Sequence, residues 1–354
     1  MTDLRTVVTR RQQLVLGLAV VATVAAGATK GVGGVTAFVV AAVALGLLAT
    51  CVGIAVEAMG DKVGPAMTGI LQSALGNLPE LLILVFALHK GLTEVVQATI
   101  VGSILANVAL VLGVAFIVGG LKNGVQTFPG AAARDIGLTL LLAVAALAIP
   151  SLTSALHSPA ADHERALSVI VSIVLLVAFA LSLVYTLRQQ VKPEPTAEHH
   201  LGWPLWLALV VLGATGVLAA LVSDWFVVAL EPAIHSLGIS AAFAGLVIVA
   251  IAGNAVENVV GIQLAAKNKA EAALQVVLQS PIQIAMVVAP VVLLLAPALG
   301  AASFTLVLSP LLLVALLLSA LVAVLVTFDG ESTWYEGVVL IALYVLLAAA
   351  FWWG

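Results

Sequence analysis

Charged residues are scarce in this chain of 354 residues: they make up 8% of it, whereas 63% of the residues are hydrophobic. A soluble domain carries about 25% charged residues, so a chain of this composition cannot bury its apolar surface against itself and stay in water. Short alternating strands are also missing, because the apolar runs exceed 18 residues and are rich in Ala, Leu and Gly. Such runs are typical of membrane-spanning helices rather than of a barrel of roughly 10-residue strands.

Cysteine is almost absent as well. The single residue, Cys51, excludes an intramolecular disulfide and any metal site built from several cysteines. It lies in an apolar run, where a free cysteine usually behaves as a small buried hydrophobe. The formal net charge of −4 is small and says little about partners.

The apolar runs divide into eleven candidate membrane spans when they are scanned with a window of about 20 residues. These spans lie at 14–28, 35–58, 65–89, 95–119, 131–150, 166–187, 203–222, 239–266, 272–296, 303–327 and 335–353. The first span is short, follows three arginines and ends in an Ala-rich stretch. A cleaved signal peptide is therefore the alternative interpretation of that segment.

Basic residues are distributed unevenly over the loops between the spans. With the N-terminus in the cytoplasm, ten of them fall in cytoplasmic segments and three, Lys30, Lys90 and Arg165, in external ones. This positive-inside bias predicts a cytoplasmic N-terminus and an external C-terminus. Trp352 and Trp353 then lie at the outer interface, where indole rings are favoured. Short loops and this bias fit a bacterial plasma membrane.

The chain contains an internal repeat. The segment GNLPELLILVFALHKGLTEVVQATIVGS begins at Gly76, and GNAVENVVGIQLAAKNKAEAALQVVLQS begins at Gly253, at a constant offset of 177 residues. Six glycine or polar positions are identical in the two copies. They are Gly76 and Gly253, Asn77 and Asn254, Glu80 and Glu257, Lys90 and Lys267, Glu94 and Glu271, and Ser103 and Ser280. Apolar similarity is common among membrane segments, but six such identities in one register indicate a duplication.

The two copies are predicted to run in opposite directions through the membrane. Glu80 lies on the third span and Glu257 on the eighth, and odd- and even-numbered spans cross the membrane in opposite directions. Inverted repeats of this kind are common in secondary transporters. The predicted fold is an all-α integral membrane protein with an extra helix followed by two inverted five-helix repeats. Its segments are the extra helix in 1–34, the first repeat in 35–187, a cytoplasmic linker at 188–202 and the second repeat in 203–354.

Two glutamates, Glu80 and Glu257, lie near the middle of their apolar segments. A charged side chain at the bilayer centre costs about 2.5–3.5 kcal/mol or more, so the first interpretation of such a residue is functional. The alternative is a protonated glutamate that hydrogen-bonds a neighbouring helix. That alternative is less expected for two repeat-related residues than for one.

The Gly-Asn pair before each glutamate predicts an unwound turn in mid-span. Gly lowers helix propensity by roughly 1 kcal/mol, and Asn competes for backbone hydrogen bonds. Pro79 also removes an amide donor in the first copy. Because irregular backbone at this depth is tolerated only where it is buried in protein or lines a cavity, we expect it to serve a site. The predicted ligands there are backbone carbonyls at Gly76 and Gly253 and side chains of Asn77 and Asn254.

Polar residues on the following spans add further oxygen ligands. Ser103 and Asn107 are four residues apart on one face of the fourth span, and Ser280 and Gln283 are three apart on the ninth. Polar side chains can also simply join helices, and this reading is equally open for Gln97, Gln275 and Gln279. Two carboxylates with neutral oxygens and no thiolate form a hard, all-oxygen set, which suits Ca²⁺ better than a monovalent ion.

These motifs resemble the Ca²⁺/H⁺ antiporter (cation exchanger) family of the calcium/cation antiporter superfamily. The resemblance rests on GNLPE, GSILAN, GNAVE and SPIQ, on FDGESTWYEG at 328–337, and on Glu57 near the end of the second span. It covers nearly the whole chain and implies a secondary transporter that exchanges Ca²⁺ for H⁺. Two departures touch the expected site. Asn258 stands where the family often has His, and Gln279, Ser280 and Pro281 stand where it often has Gly-Ser-Ser.

The expected mechanism is alternating access at a midplane site. Glu80 and Glu257 would bind one Ca²⁺ when ionised and two protons when it leaves, because an empty site with two negative charges at that depth is costly. Glu57 and Glu231 are candidates for ion entrances, with simple interfacial placement as the alternative. The expected partners are inorganic cations and the lipid bilayer, with no nucleic acid and no cofactor, and the sequence does not give the oligomeric state.

Other functions stay open on the same scaffold. GNLPE shares its Pro-Glu with Na⁺/Ca²⁺ exchangers, so Na⁺-coupled calcium exchange is one alternative, and monovalent cation/proton exchange is another. A cation channel is less favoured. No Ser/His pair, paired aspartates or HExxH motif supports an intramembrane protease, so enzymatic activity is not expected.

Overall fold

The computed structural model describes residues 8–63, 75–189 and 203–353, without the side chains at 60–63, 131–132, 185–189 and 255–257. The regular elements of the described chain are helices, apart from two strands of two residues each, which confirms the predicted class. The elements, in chain order, are α1 (Arg10–Thr29), α2 (Gly34–Val63), α3 (Leu78–His89), α4 (Thr93–Leu105), α5 (Leu112–Asn123), β1 (Gln126–Thr127), α6 (Gly130–Ala155), α7 (Glu164–Gln189), α8 (Leu205–Leu237), α9 (Ala241–Phe243), α10 (Ala250–Gly253), α11 (Ala255–Ala266), α12 (Ala270–Gln283), α13 (Ala289–Leu295), α14 (Pro310–Thr327), β2 (Glu331–Ser332) and α15 (Trp334–Phe351). Three π-helical turns and one 3₁₀ turn lie between them, at Ala106–Val111, Ala244–Val249, Ile284–Val288 and Pro159–His163.

Within the described residues, nine helices are long and apolar enough to span a membrane. A tenth span results if Ala241–Gly253 and Asn258–Ala266, which are bent by 62° at their junction, are counted together. The predicted span at 65–89 is represented by α3 alone, because 64–74 lie outside the described residues. The structure therefore confirms a polytopic helical membrane protein, but the described part of the chain does not establish the predicted count of eleven.

Two predicted spans were wrong in extent. The seventh, placed at 203–222, continues as α8 to Leu237, because helix formation does not stop at the end of the apolar window. It ends where Gly238 adopts a left-handed conformation with φ of 63°. The tenth, placed at 303–327, begins only at Pro310, with Ser309 as its N-cap.

The residues before α14 form a non-helical segment, 304–309, in which Phe304, Leu306 and Leu308 are buried. Its backbone groups find partners on three helices. Gln97 donates its side-chain amide to two carbonyl oxygens of the segment, at 3.0 and 2.9 Å. Ser151 and Ser168 accept two of its backbone amides, at 2.8 and 3.2 Å. These bonds satisfy backbone that would otherwise be unpaired in an apolar environment, and they show that Gln97 joins elements.

The chain divides into two compact units. Unit one comprises Met1–Phe86 and Phe179–Gly238, and unit two comprises Ala87–Ala178 and Ile239–Gly354. This division differs from the predicted repeats, since each unit takes residues from both halves of the sequence. The repeat boundaries therefore stay a prediction.

Unit one is built on α2, which packs along α8 and α1. The rings of Phe38 and Phe226 stack at this contact with their centroids 4.6 Å apart. Near one end of α1, the Lys30 ammonium lies 5.1 Å from the centroid of the Trp225 ring, a distance typical of a cation–π contact. Cys51 is buried and free, as predicted.

Unit two contains a backbone-to-backbone crossing of α4 with the π turn Ala244–Val249. A Cβ atom added at Gly245 would lie 2.6 Å from the carbonyl oxygen of Val95, and one added at Gly102 would overlap the backbone of Leu246. Glycine at both positions is therefore needed for this approach. Small residues at such crossings are typical of membrane helix packing.

The strands β1 and β2 pair antiparallel, with Gln126 opposite Ser332 and Thr127 opposite Glu331. Two residues are too few for a periodic pattern, so these strands could not be predicted from the sequence. Next to β2, Thr333 and Glu336 form a capping box at the start of α15. Part of the FDGESTWYEG motif thus has a structural role.

Candidate functional site

The sequence repeat is also a repeat of helix boundaries. The helix α3 (Leu78–His89) and the helix α11 (Ala255–Ala266) begin and end at positions that differ by the same 177 residues. The helices α4 and α12 begin at equivalent positions, Thr93 and Ala270. A π turn follows in both copies, at Ala106–Val111 and at Ile284–Val288, and the two turns end at equivalent positions. Local structure therefore follows the register that the polar identities defined.

The turn after each of these helices is repeated in detail. Gly91 and Asn268 occupy equivalent positions and both have positive φ, at 80° and 58°. In the first copy the amide of Leu92 donates to the carbonyl of Ala87 at 3.0 Å, and the equivalent bond from Lys269 has the same length. Asn is the non-glycine residue that best tolerates this left-handed conformation, so the substitution preserves the turn.

Both copies contain the predicted break in the helix. Gly76 and Asn77 form a turn directly before α3, and Asn254 separates α10 from α11 with φ of −107° and ψ of 17°. At the second break the chain bends by 62°. Each glutamate is the third residue of the helix that follows, so each stands in its first turn, where the helix dipole favours negative charge.

Glu80 is wholly buried, with 0% of its surface exposed, and Asn77 beside it is buried too. Both lie in unit one. The backbone of Glu257 occupies the equivalent place in α11, and its side chain lies outside the described residues. The structure therefore describes one of the two predicted carboxylates.

Three predicted ligands meet in unit two through one asparagine. The side-chain amide of Asn254 donates to Ser103 Oγ at 3.1 Å and to the carbonyl oxygen of Ala250 at 3.0 Å. Ser280 Oγ donates to Asn254 Oδ1 at 3.1 Å. The three side chains come from α4, from the helix break and from α12, and all are buried. They form a compact cluster of oxygen atoms that joins the two copies of the repeat.

Asn107 and Gln283, the other two predicted side-chain ligands, are also buried. Asn107 lies within the π turn after α4 and donates its side-chain amide to the carbonyl oxygen of Ser103 at 2.9 Å. Its Oδ1 is buried and has no hydrogen-bond partner among the described residues. Gln283 is the last residue of α12, directly before the equivalent π turn. Single π turns inside α-helices occur frequently at functional sites.

Two polar residues near this cluster were not predicted as ligands. Thr99 is wholly buried, and its Oγ1 has no partner among the described residues. It precedes Ser103 by four residues and therefore shares its helix face, a spacing that could have revealed it. Asn258, noted only as a departure from the family pattern, also has a buried Oδ1 without a described partner.

The predicted ion entrances, Glu57 and Glu231, both have exposed side chains. Glu57 lies on α2, six residues before its end, and Glu231 lies on α8, six residues before its end. Exposure is compatible with an entrance and with interfacial placement alike, so their role stays a prediction.

A polytopic helical protein with helices broken beside a buried carboxylate belongs to the class of membrane transporters with discontinuous helices. Comparison with known protein families narrows this class to one family. The chain belongs to the sodium/calcium exchanger protein family, whose model matches residues 33–188 and 207–353.

Several curated relatives carry the name Ca²⁺/H⁺ antiporter. The protein from Synechocystis sp. is 35% identical over 91% of this chain and 92% of its own length. The protein from Aphanothece halophytica is 33% identical over 90% of each chain. The antiporter ChaA from Bacillus subtilis is 35% identical over 89% of this chain and 91% of its own length. The family resemblance inferred from the motifs is therefore confirmed.

Solved structures agree with this placement. Native YfkE matches with a TM-score of 0.80 and 31% identity, covering 94% of this chain and 99% of that one. The H⁺/Ca²⁺ exchanger CAX matches with a TM-score of 0.76 over 97% of this chain and 92% of that one. Its identity of 16% supports the shared fold alone.

Proposed function

We propose that this protein exchanges Ca²⁺ for H⁺ across the membrane and that Glu80 and Glu257 bind both ions in turn. Glu80 carries the proposal, because it is wholly buried in the first turn of a helix that starts at a break. Relatives named Ca²⁺/H⁺ antiporter, at 33 to 35% identity over about 90% of the chain, support the choice of ions.

The coupling follows from the cost of an uncompensated buried charge. An ionised carboxyl at 0% exposure needs a cation beside it, and without a cation it takes up a proton. Ca²⁺ and H⁺ therefore compete for the same oxygen atoms. A carrier that changes conformation only when this negative charge is neutralised, by Ca²⁺ or by protons, exchanges one ion for the other.

The second carboxylate enters through the repeat. Glu257 has the same place in its helix as Glu80, and two negative charges match one divalent ion or two protons. This part of the proposal rests on the sequence duplication. The further ligands that we propose are Asn77, Asn254, Ser103, Asn107, Ser280, Gln283 and the carbonyls of Gly76 and Gly253.

The oxygen cluster in unit two supports a hard-cation site. Ca²⁺ takes 6–8 oxygen ligands and accepts amide and carbonyl oxygens as well as carboxylates. Ser103, Asn254 and Ser280 provide neutral oxygens that are already held in place by mutual hydrogen bonds. Rocking of spans around such a site, as in other inverted-repeat transporters, would give alternating access. With a cytoplasmic N-terminus in a bacterial plasma membrane, the proton gradient would drive Ca²⁺ out of the cell.

Na⁺/Ca²⁺ exchange is the second candidate. It is favoured by the family, named for sodium/calcium exchangers, and by the Pro-Glu pair in GNLPE. The two candidate functions share the cation site. They differ in the ion that neutralises the glutamates when Ca²⁺ leaves, which is H⁺ in the first and Na⁺ in the second.

Reconstitution into liposomes with one gradient varied at a time separates these functions. We expect Ca²⁺ uptake that follows an imposed pH gradient and does not respond to Na⁺. Uptake driven by Na⁺ at constant pH would select the second candidate, and flux without any counter-ion gradient would indicate a channel. Absence of Ca²⁺ movement under every gradient would refute the proposed function.

A further inference from the structure

Asn107 and Asn258 stand in matching places relative to the Ser103–Asn254 hydrogen bond. Asn107 follows Ser103 by one helical turn and donates its side-chain amide to the Ser103 carbonyl at 2.9 Å. Asn258 follows Asn254 by one turn, and its backbone amide donates to the Asn254 carbonyl at 3.1 Å. Each asparagine is thus fixed one turn beyond a member of the bonded pair.

The same two side chains carry buried oxygen atoms that have no hydrogen-bond partner among the described residues. Neither Asn107 Oδ1 nor Asn258 Oδ1 accepts a hydrogen bond within the described part of the chain. An unsatisfied buried acceptor costs about 1–3 kcal/mol, and native structures usually provide a water or an ion for it. Two such oxygens, each one turn beyond a member of the bonded pair, suggest a shared occupant.

The two helical segments that carry Asn107 and Asn258 run in the same direction. At one end, α4 crosses the π turn that precedes α10, where Gly245 approaches Val95. At the other end, the Asn123 side chain donates to the Ala265 carbonyl at 3.2 Å, which ties the end of α5 to the end of α11. Both asparagines therefore lie between the Ser103–Asn254 bond and the Asn123–Ala265 tie. The helix α11 also contacts the π turn that holds Asn107.

Neither asparagine belongs to the duplicated set. The position equivalent to Asn107 in the second copy is Ile284, and the position equivalent to Asn258 in the first copy is Leu81. The repeated fold accepts an apolar residue at each place, so the amides are not needed to form the helices. Both amides lie in unit two, and neither belongs to the set of residues that the duplication repeats.

We propose that Asn107 Oδ1 and Asn258 Oδ1 together form a second coordination position for Ca²⁺, one helical turn from the Ser103–Asn254 pair towards the Asn123–Ala265 tie. The inference rests on the proposed function and deepens it. Ca²⁺ accepts Asn carbonyl oxygens and retained waters as ligands, so two neutral amides suit an ion that keeps part of its hydration shell. Without a carboxylate, this position binds the ion weakly and passes it to the glutamate site. The positive-inside pattern predicts that the Asn123–Ala265 end faces the cytoplasm, so we expect this position to lie on the cytoplasmic half of the ion pathway.

The repeat supplies the test variants. Asn107→Ile and Asn258→Leu place at each position the residue that the other copy already carries, and Asn258→Ala replaces the leucine variant if that one does not fold. In proteoliposomes, we expect each substitution to raise the apparent KM for Ca²⁺ about tenfold. The maximal rate should be preserved in the Asn258 variants, because Asn258, unlike Asn107, is not a proposed ligand of the glutamate site. The double variant should be no more than about twofold weaker than the worse single variant, because both oxygens serve one ion.

Ser172→Ala is the matched control, since Ser172 Oγ is another buried oxygen without a described partner, on α7. It should leave KM unchanged. An unchanged KM in both asparagine variants overturns the shared position. So does a double variant whose effect equals the product of the two single effects.

A binding measurement keeps this inference separate from the transport function. Stabilisation of the detergent-purified protein by Ca²⁺ is followed as a shift of its thermal unfolding midpoint. We expect the Ca²⁺ concentration needed for half of the shift to rise in both asparagine variants. If the wild-type protein binds Ca²⁺ but exchanges no protons, the proposed function fails and these shifts still decide the inference. Equal shifts in wild type and variants, or no shift in the wild type, overturn it.

Discussion

The side-chain amide of Asn254 donates a hydrogen bond to Ser103 Oγ at 3.1 Å, and this bond connects the second copy of the repeat to the first. Ser280, the repeat equivalent of Ser103, donates to the other end of the same side chain. One asparagine at a helix break therefore holds two equivalent serines. These bonds also fix the orientation of the Asn254 carboxamide, because its nitrogen donates to Ala250 as well and its oxygen accepts from Ser280.

Asn254→Ala is expected to weaken Ca²⁺ binding and to lower stability together. It removes three hydrogen bonds and leaves the hydroxyls of Ser103 and Ser280 without this partner. The apparent KM for Ca²⁺ should rise at least about tenfold, and the free energy of unfolding should fall by about 1–3 kcal/mol. Asn123→Ala, which also removes a bond between helices, should lower stability with KM unchanged. Equal KM values for both variants would argue against a role of Asn254 in the site.

Glu80→Gln and Glu257→Gln are each expected to reduce Ca²⁺ uptake into everted vesicles by about a hundredfold or more. The substitution keeps the shape of the side chain and removes the charge that compensates the cation, which in buried sites costs several kcal/mol. Glu94→Gln is the control, because Glu94 belongs to the same repeat but is exposed at the start of α4. Uptake that persists in a glutamine variant rejects the role of that glutamate.

Acid pH is expected to weaken Ca²⁺ binding. A carboxylate coordinates the ion only when ionised, so protons displace Ca²⁺ and the apparent dissociation constant rises as pH falls. If Glu80 and Glu257 titrate together, up to two protons are released for each ion bound. Titration of purified protein with Ca²⁺ at a series of pH values measures this number. A dissociation constant independent of pH would contradict proton coupling at these residues.

Gly245→Ala is expected to destabilise the protein by about 1–3 kcal/mol or more, because the new methyl group would lie 2.6 Å from the Val95 carbonyl. Gly213→Ala on α8 is the matched change, since nothing lies within 4 Å of a Cβ at that position. It should be neutral or stabilise the helix by up to about 1 kcal/mol. Thermal unfolding in detergent compares the two. Similar midpoints would show that α4 does not depend on this close crossing.

Gln97→Leu is expected to lower stability without changing ion binding. It leaves the carbonyl oxygens of Thr305 and Val307 without their donor, at a cost of about 1–3 kcal/mol. Gln275→Leu, an exposed change on α12, should have little effect on the unfolding midpoint. A raised KM for Ca²⁺ in the Gln97 variant would instead place Gln97 on the ion pathway.

The limits of prediction are clearest at the tenth span. Its apolar composition extends back to 303, so a hydropathy window includes residues that are not helical in the structure. Gln97, which pairs with that segment, is 208 residues away from Thr305. No local pattern reports such a partner. The same holds for β1 and β2, whose two-residue pairing joins distant loops.

The amino-acid sequence by itself determined the membrane class, the repeat register, the helix breaks at the Gly-Asn pairs and the candidate glutamates. These features depend on the length of apolar runs and on local backbone preference, which neighbouring residues set. Only the tertiary structure decided that Asn254 holds Ser103 and Ser280 and that Gln97 supports a non-helical segment. It also decided that Asn107 and Asn258 have oxygens without a partner in the described part of the chain. Hydrogen bonding between distant residues depends on how helices pack, and packing is a property of the whole folded chain.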